Sequence, residues 1–198
     1  MYPDSIKSLI ESFKMLPGIG EKTAERLTFS VLGMDIEQVQ FFSDSLIDVT
    51  EKVHKCSNCN ILTENELCSI CSDYFRNSAT LCVVEDVKTV FLFEKQNMFS
   101  GKYHVLDGLI SPLDGINPED IGIEKLLDRI EREKFSEIIF AFKPSIEGET
   151  TALYIKKVLA DSNIKVTKLA NGVPIGVDME YVDGLTLERA LRDRKVIE

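Results

Sequence analysis

Four cysteines within residues 56–71, Cys56, Cys59, Cys68 and Cys71, constrain this chain more than any other feature. They form two C-x-x-C pairs separated by residues 60–67. Each pair can close a tight knuckle that points two sulfurs the same way. Two knuckles on a short loop can wrap a tetrahedral thiolate cage around Zn²⁺ at about 2.3 Å per Zn–S bond. With protein sulfur at all four positions, no site is left for water or substrate, so such a zinc is structural. The alternatives are two disulfides, a redox pair and chance spacing. Disulfides need an oxidising compartment, and residues 1–7 lack the basic start, apolar stretch and small-residue cleavage site of a secretory signal. A redox C-x-x-C normally comes singly, on a strand-to-helix turn. Spacing and context favour zinc, whose binding supplies on the order of 10 kcal/mol to a segment with almost no core of its own. The fifth cysteine, Cys82, sits in the apolar run Leu81-Cys82-Val83-Val84 and reads as a small buried hydrophobe.

The chain has 198 residues, 44% hydrophobic and 28% charged, the composition of an ordinary folded protein of one or two domains. No apolar run approaches the roughly 18 residues that cross a bilayer, the longest convincing one being Ile138 to Phe142. A cytoplasmic location and no membrane partner are expected. The net charge of −10 argues against a generic basic nucleic-acid binder, because phosphate affinity comes from neutralising phosphates and releasing counterions. Any nucleic-acid contact must be local or reinforced by several copies.

Near the N-terminus Ile6, Leu9, Ile10 and Phe13 have helical spacing, with Asp4 or Ser5 available as N-cap. The pattern breaks at Leu16-Pro17-Gly18-Ile19-Gly20. A second helix is expected from about Glu21 to Leu32, stopped by Gly33, and a third from about Asp35 to Val53 with Val39, Phe42, Leu46, Val49 and Val53 inward. At the break the two glycines permit a hairpin and leave backbone N–H groups uncovered at a helix start. A phosphate is favoured there by the helix dipole, with Lys22 and Arg26 one turn apart as charge partners. Gly18, Gly20, Lys22 and Arg26 therefore form a candidate DNA-binding set that reads backbone and ignores base identity. The pattern resembles the helix-hairpin-helix motif of non-sequence-specific DNA-binding proteins. The plainer reading is a tight helix–helix turn plugged into a core by Ile19. A Walker A reading fails, because Glu21 rather than glycine precedes Lys22 and no strand leads into the loop.

Beyond the cysteines the pattern alternates. Strands are expected at Leu81–Val84, Tyr103–Leu106, Ile138–Phe142 and Lys165–Leu169, and helices at Asp86–Glu94, Gly122–Arg132 and Glu147–Leu159. This argues an α/β architecture with a parallel sheet covered on both faces, and ligand chemistry at the carboxyl ends of the strands. Glu85 follows the first strand and Lys143-Pro144-Ser145-Ile146-Glu147-Gly148-Glu149 follows the third. The constellation resembles the Toprim domain of topoisomerases, primases and some nucleases. Its catalytic members hold Mg²⁺ with a glutamate after the first strand and a D-x-D pair after the third. Glu85 matches the glutamate and Glu147-Gly148-Glu149 the following E-G-E, but Lys143 and Ser145 stand where the pair belongs. An ammonium there repels a dication, which argues against catalytic Mg²⁺. Glu85, Asp86, Glu147 and Glu149 read instead as an acidic patch for a protein partner, or as solvated charge at helix N-termini.

Taken in order, Leu16-Pro17-Gly18-Ile19-Gly20, the four cysteines, Val83-Val84-Glu85, Phe99-Ser100-Gly101-Lys102-Tyr103, Ser111 to Ile116, Glu147-Gly148-Glu149, Gly172 to Gly176 and Val182-Asp183-Gly184 resemble the RecR family of bacterial recombinational-repair proteins. Departures are Lys143-Pro144-Ser145 for an Asn-Pro-Thr-like stretch and Asn171 for a histidine. The resemblance implies a helix-hairpin-helix DNA-binding region (1–55), a C4 zinc finger (56–71) holding one Zn²⁺, a Toprim-like domain (79–173) and a C-terminal segment for subunit contacts (174–198). It implies a non-enzymatic DNA clamp, a ring of four chains with the hairpins inward. Its partners are RecO and RecF, with which the family helps load recombinase on gapped single-stranded DNA. A ring would also answer the charge problem by repeating Lys22 and Arg26 around a channel. The basic run Arg189, Arg192, Arg194 and Lys195 reads as a DNA contact, a subunit contact or a solvated helix face. Two rival functions are a Mg²⁺-dependent Toprim enzyme and a zinc-stabilised interaction module.

Overall fold

The structure, a computed structural model, describes residues 2–170, 172–194 and 196. Asn171 and Lys195, both singled out in the sequence, lie outside the described residues. The chain divides into two compact units, Met1–Val53 and His54–Glu198.

The first unit holds α1 (Asp4–Lys14), α2 (Glu21–Leu32) and α3 (Ile36–Lys52). Neither Asp4 nor Ser5 caps α1. Pro3 occupies the N-cap, and its carbonyl accepts the Ile6 and Lys7 amides at 3.1 and 3.2 Å. Asp4 sits in the first turn and pairs with Lys7 at 2.9 Å, where its charge still suits the dipole. Gly33 ends α2 with φ −87°, a conformation open to any residue. Asp35 caps α3 in a reciprocal box, accepting the Gln38 amide at 2.8 Å while Gln38 Oε1 accepts the Asp35 amide at 3.1 Å. The core of the unit is Ile10 of α1 with Ala24 and Thr28 of α2. The expected inward face of α3 is not inward: Phe42, Leu46 and Val49 are 42%, 55% and 55% exposed. Two helices are enough to bury one another, and among the described residues of this unit no further layer covers the apolar stripe of the third.

The second unit begins with a two-residue antiparallel pair, β1 (His54–Lys55) and β2 (Leu62–Thr63), followed by one turn of helix, α4 (Ser69–Ser72). A four-stranded sheet follows, from β3 (Asn77–Val84), β4 (Gly101–Val105), β5 (Glu137–Ala141) and β6 (Lys165–Lys168), in spatial order β4-β3-β5-β6 with every pairing parallel. Its crossover helices are α5 (Val87–Lys95), α6 (Ile123–Glu133) and α7 (Ile146–Val158); α8 (Gly184–Arg192) is the last helix among the described residues. Alternation along the strands sorts two cores. Leu81, Val83, Ile138 and Phe140 pack with Leu126 and Ile130 of α6 and Ile155 of α7. Cys82, Val84, Tyr103 and Ala141 pack with Val90 of α5 and with three of the zinc-loop cysteines. Cys82 is 2% exposed, and burial pushes its thiol up to about 12. It is the small buried hydrophobe expected.

The edge strand β4 is covered by the cysteine loop, which removes an open row of strand hydrogen-bonding groups. The Val105 amide donates to the Cys59 carbonyl at 2.9 Å, and Asn60 Nδ2 donates to the Val105 carbonyl at 2.9 Å. Lys102, on the same strand, is buried and donates its ammonium to the carbonyls of Ile70 and Asp73, both at 2.7 Å. Among the described residues no helix is long and apolar enough to cross a membrane.

Candidate functional site

The four sulfurs of Cys56, Cys59, Cys68 and Cys71 lie within 4.8 Å of one another. The loop is folded for that purpose. The Cys56 amide donates to Ile61 O at 2.7 Å and the Asn60 amide to Cys56 O at 3.1 Å, with Asn60 at φ 62° turning the first knuckle. In the second, the Cys68 amide donates to Cys56 Sγ at 3.3 Å and the Cys71 amide to Cys68 Sγ at 3.4 Å. All five cysteines are free. Sulfur alone sets these groups against one another: hydrogen bonding among Cys59, Cys68 and Cys71 pushes the Cys59 thiol up and draws the Cys68 thiol down. A bound dication removes the conflict by letting every thiolate ionise. Four converging sulfurs backed by N–H···S donors fit tetrahedral Zn²⁺, and the chain holds one structural zinc.

Between α1 and α2, Gly18 takes φ +83° and Gly20 caps α2 in an extended conformation with φ −89°. Only the first glycine needs its conformational freedom, and a Cβ at either would meet nothing within 4 Å. The Ile19 amide is taken by Leu16 O, and the Thr23 and Ala24 amides by Gly20 O. Among the described residues, the amides of Gly18, Gly20, Glu21 and Lys22 have no acceptor. Ile19, at the same turn, is half-buried. Lys22 and Arg26 are exposed on α2. The corner therefore unites Gly18, Gly20, Lys22 and Arg26 on one surface. Sequence reasoning missed Lys14, whose ammonium reaches Glu21 at 2.6 Å and Glu11 at 2.9 Å.

At the carboxyl ends of the strands lies a cleft of about 670 Å³ bordered by Glu85, Asp86, Lys143 and Glu147. Glu85 accepts the Lys143 amide at 3.2 Å, and Asp86 caps α5 by accepting the Lys88 amide at 2.9 Å. Ser145 caps α7, and its hydrogen bond with Glu147 is the main cause holding that exposed carboxyl below the usual range. Gly148 is needed because a Cβ there would stand 2.4 Å from the Lys143 carbonyl. Glu149 does not join the cleft: it turns to Lys168 and pairs through both carboxylate oxygens, at 2.7 and 2.8 Å. Two acids that the sequence reading did not place in the patch border the cleft, Asp107 and Asp114; Asp107 pairs with Lys55 of β1. Among the described residues, the cysteine quartet is the only cluster of His, Cys, Asp or Glu close enough to hold a metal. Of the basic run, Arg189 and Arg192 border a small cleft with Glu149 and Lys168, and Arg192 pairs with Glu188 at 2.7 Å. Arg194 donates to Leu191 O at 3.1 Å.

Comparison with known proteins matches every segment. Residues 6–50 match the RecR helix-hairpin-helix model, 53–73 the RecR four-cysteine zinc finger domain, 79–170 the Toprim domain and 172–195 the RecR C-terminal model. The chain is 46% identical over 194 residues to the recombination protein RecR of Natranaerobius thermophilus, with 98% of each covered. It is 48% identical over 193 residues to the proteins of that name from Staphylococcus aureus strain Newman and Staphylococcus haemolyticus, again over 98% of each. Likeness of this extent, spanning the zinc loop, the glycine corner and the strand-end cleft alike, places the chain in the RecR family.

Proposed function

We propose that this protein is a non-enzymatic DNA clamp of recombinational repair, working in the cytoplasm with RecO and RecF to help load recombinase on gapped single-stranded DNA. The observation that carries the reading is the glycine corner, where four backbone amides without acceptors face solvent beside Lys22 and Arg26. Amides at a helix start take phosphate oxygens without regard to sequence. The work divides along the chain: residues 1–55 hold DNA, 56–71 bind zinc, 79–173 form the partner-binding platform, and 174–198 join subunits. Several copies in a ring, four in the family arrangement, let feeble corners add up despite the net charge of −10. The uncovered stripe of Phe42, Leu46 and Val49 supports assembly, since an apolar face of this kind is normally covered by a partner.

Lys22→Ala with Arg26→Ala is expected to weaken duplex binding and flatten the dependence of log K on log salt by roughly 0.9 for each phosphate no longer neutralised. Fluorescence anisotropy across a salt series measures both, and an unchanged slope would reject the two residues as phosphate ligands. Glu85, Asp86 and Glu147 serve a protein partner with basic side chains, Glu149 standing apart through its pairing with Lys168. Glu147→Lys should cut recovery of RecO in a pull-down while leaving zinc content and DNA affinity alone. Undiminished recovery would remove Glu147 from the interface. The absence of a D-x-D pair supports the non-enzymatic reading; nicking of supercoiled plasmid by the zinc-loaded protein with Mg²⁺ would overturn it.

A further inference from the structure

The corner proposed to hold DNA carries a contradiction in its own sequence. Glu21 is the first residue of α2, where an unrestrained carboxylate can reach the open amides of Gly20, Glu21 and Lys22 that a phosphate would occupy. An anion at that place competes with phosphate for the same helix dipole and repels it directly. The structure resolves this through Lys14, the last residue of α1. Its ammonium lies 2.6 Å from Glu21 Oε2 and 2.9 Å from Glu11 Oε1, spanning the corner from the far side. Hydrogen bonding, first to Glu21 and then to Glu11, raises the ammonium above its ordinary pKa, so the cation persists throughout the physiological range.

We infer that Lys14 is a positioning residue for phosphate binding: it draws the Glu21 carboxylate toward α1 and offsets part of its charge, leaving the glycine-corner amides open to the DNA backbone. Lys14 acts on Glu21, not on DNA. Stability has little stake in the pairing, since both side chains are substantially exposed and exposed ion pairs contribute little to folding. Binding has more, because without Lys14 every copy in the proposed assembly would present that carboxylate uncompensated.

This inference rests on the proposed DNA-binding role of the corner, and a set of four variants separates the two. The full-length zinc-loaded protein is titrated against a fluorescein-labelled blunt DNA duplex at several salt concentrations, with circular dichroism and thermal melts as controls for folding. Lys14→Gln is expected to weaken binding roughly three- to tenfold at low salt, the effect fading as salt screens Glu21. Glu21→Gln is expected to bind at least as tightly as the parent. Lys14→Gln combined with Glu21→Gln should lie close to Glu21→Gln alone, because the carboxylate at the start of α2 is gone and the remaining partner of Lys14, Glu11, lies back on α1. An equal loss from Lys14→Gln in both backgrounds would make Lys14 a direct phosphate ligand and overturn the inference, as would no loss in either. Lys22→Ala with Arg26→Ala reports on the corner itself: if that pair binds normally, the DNA-binding reading falls first.

Discussion

Replacing Cys59 by serine is expected to release the zinc and to cost the His54–Glu198 unit several kcal/mol, with about 10 kcal/mol as the upper bound set by the metal's contribution to small thiolate domains. Three thiolates and a hydroxyl are a poor tetrahedral cage, and Cys59 is also the residue whose carbonyl receives the Val105 amide from the β4 edge. Loss of the ion therefore propagates: the knuckle opens, Asn60 leaves the Val105 carbonyl, and the carbonyls of Ile70 and Asp73 move off the buried Lys102 ammonium. An ammonium buried without acceptors is among the costliest groups a fold can carry. Zinc content by metal-release assay, paired with denaturant unfolding, measures the effect. Cys82→Ser is the control, since it places a hydroxyl in an apolar core at about 1–3 kcal/mol and should keep full zinc. A Cys59→Ser protein with one zinc per chain and parental stability would remove the metal from its structural role. The Met1–Val53 unit has its own core and should retain its helical signal.

What the sequence made legible was local, and what it hid was set by distance along the chain. The zinc quartet and the glycine corner are each written within a short stretch of chain, and the sheet strands fell within a few residues of their expected limits, most directly for β3 and β5, whose buried halves are continuous apolar runs. Glu147 and Glu149 look like one acidic cluster in the sequence. On a helix, two residues apart means roughly opposite faces, so one lines the cleft and the other meets Lys168. Asp107 and Lys55 are distant in sequence, and only the docking of the cysteine loop on the β4 edge brings them together. Lys102 and His104 alternate with Tyr103 and Val105, the pattern of a half-exposed strand, yet all four are buried, with Lys102 satisfied by carbonyls no local signal could supply. Phe42, Leu46 and Val49 reverse the error. Their spacing correctly marks an apolar face, but periodicity cannot say whether the covering layer comes from the same chain.

Arg129→Met is the second large effect, expected to cost about 3 kcal/mol by taking the buried cation from a part-buried carboxylate that keeps only the exposed Arg132, at 3.5 Å. Arg129 is only 1% exposed, on the face of α6 turned to the sheet. It donates to the Tyr103 carbonyl on the β4 edge at 2.6 Å and to Glu133 Oε1 at 2.9 Å, and lies over the Phe135 ring at 5.6 Å. Glu133 in turn accepts from Asn58 Nδ2 at 2.8 Å, inside the first zinc knuckle. Burial works to raise the Glu133 pKa, but hydrogen bonds from Arg129 and then Asn58 outweigh it and hold the carboxyl ionised. The same arginine disfavours a second positive charge beside it: burial first, then repulsion by Arg129 and Lys125, keeps His104 neutral with its pKa down to about 3. Methionine restores most of the buried volume, so the loss isolates charge and hydrogen bonding from packing. Adding Glu133→Gln should then recover more than half of the deficit, because a neutral amide no longer needs the cation. A double-mutant cycle in denaturant at neutral pH reads the coupling directly. Strict additivity would show that the two side chains act separately. Recovery would establish that Arg129 and Glu133 act as one unit, which joins α6 to the β4 edge through Tyr103 and to the zinc loop through Asn58.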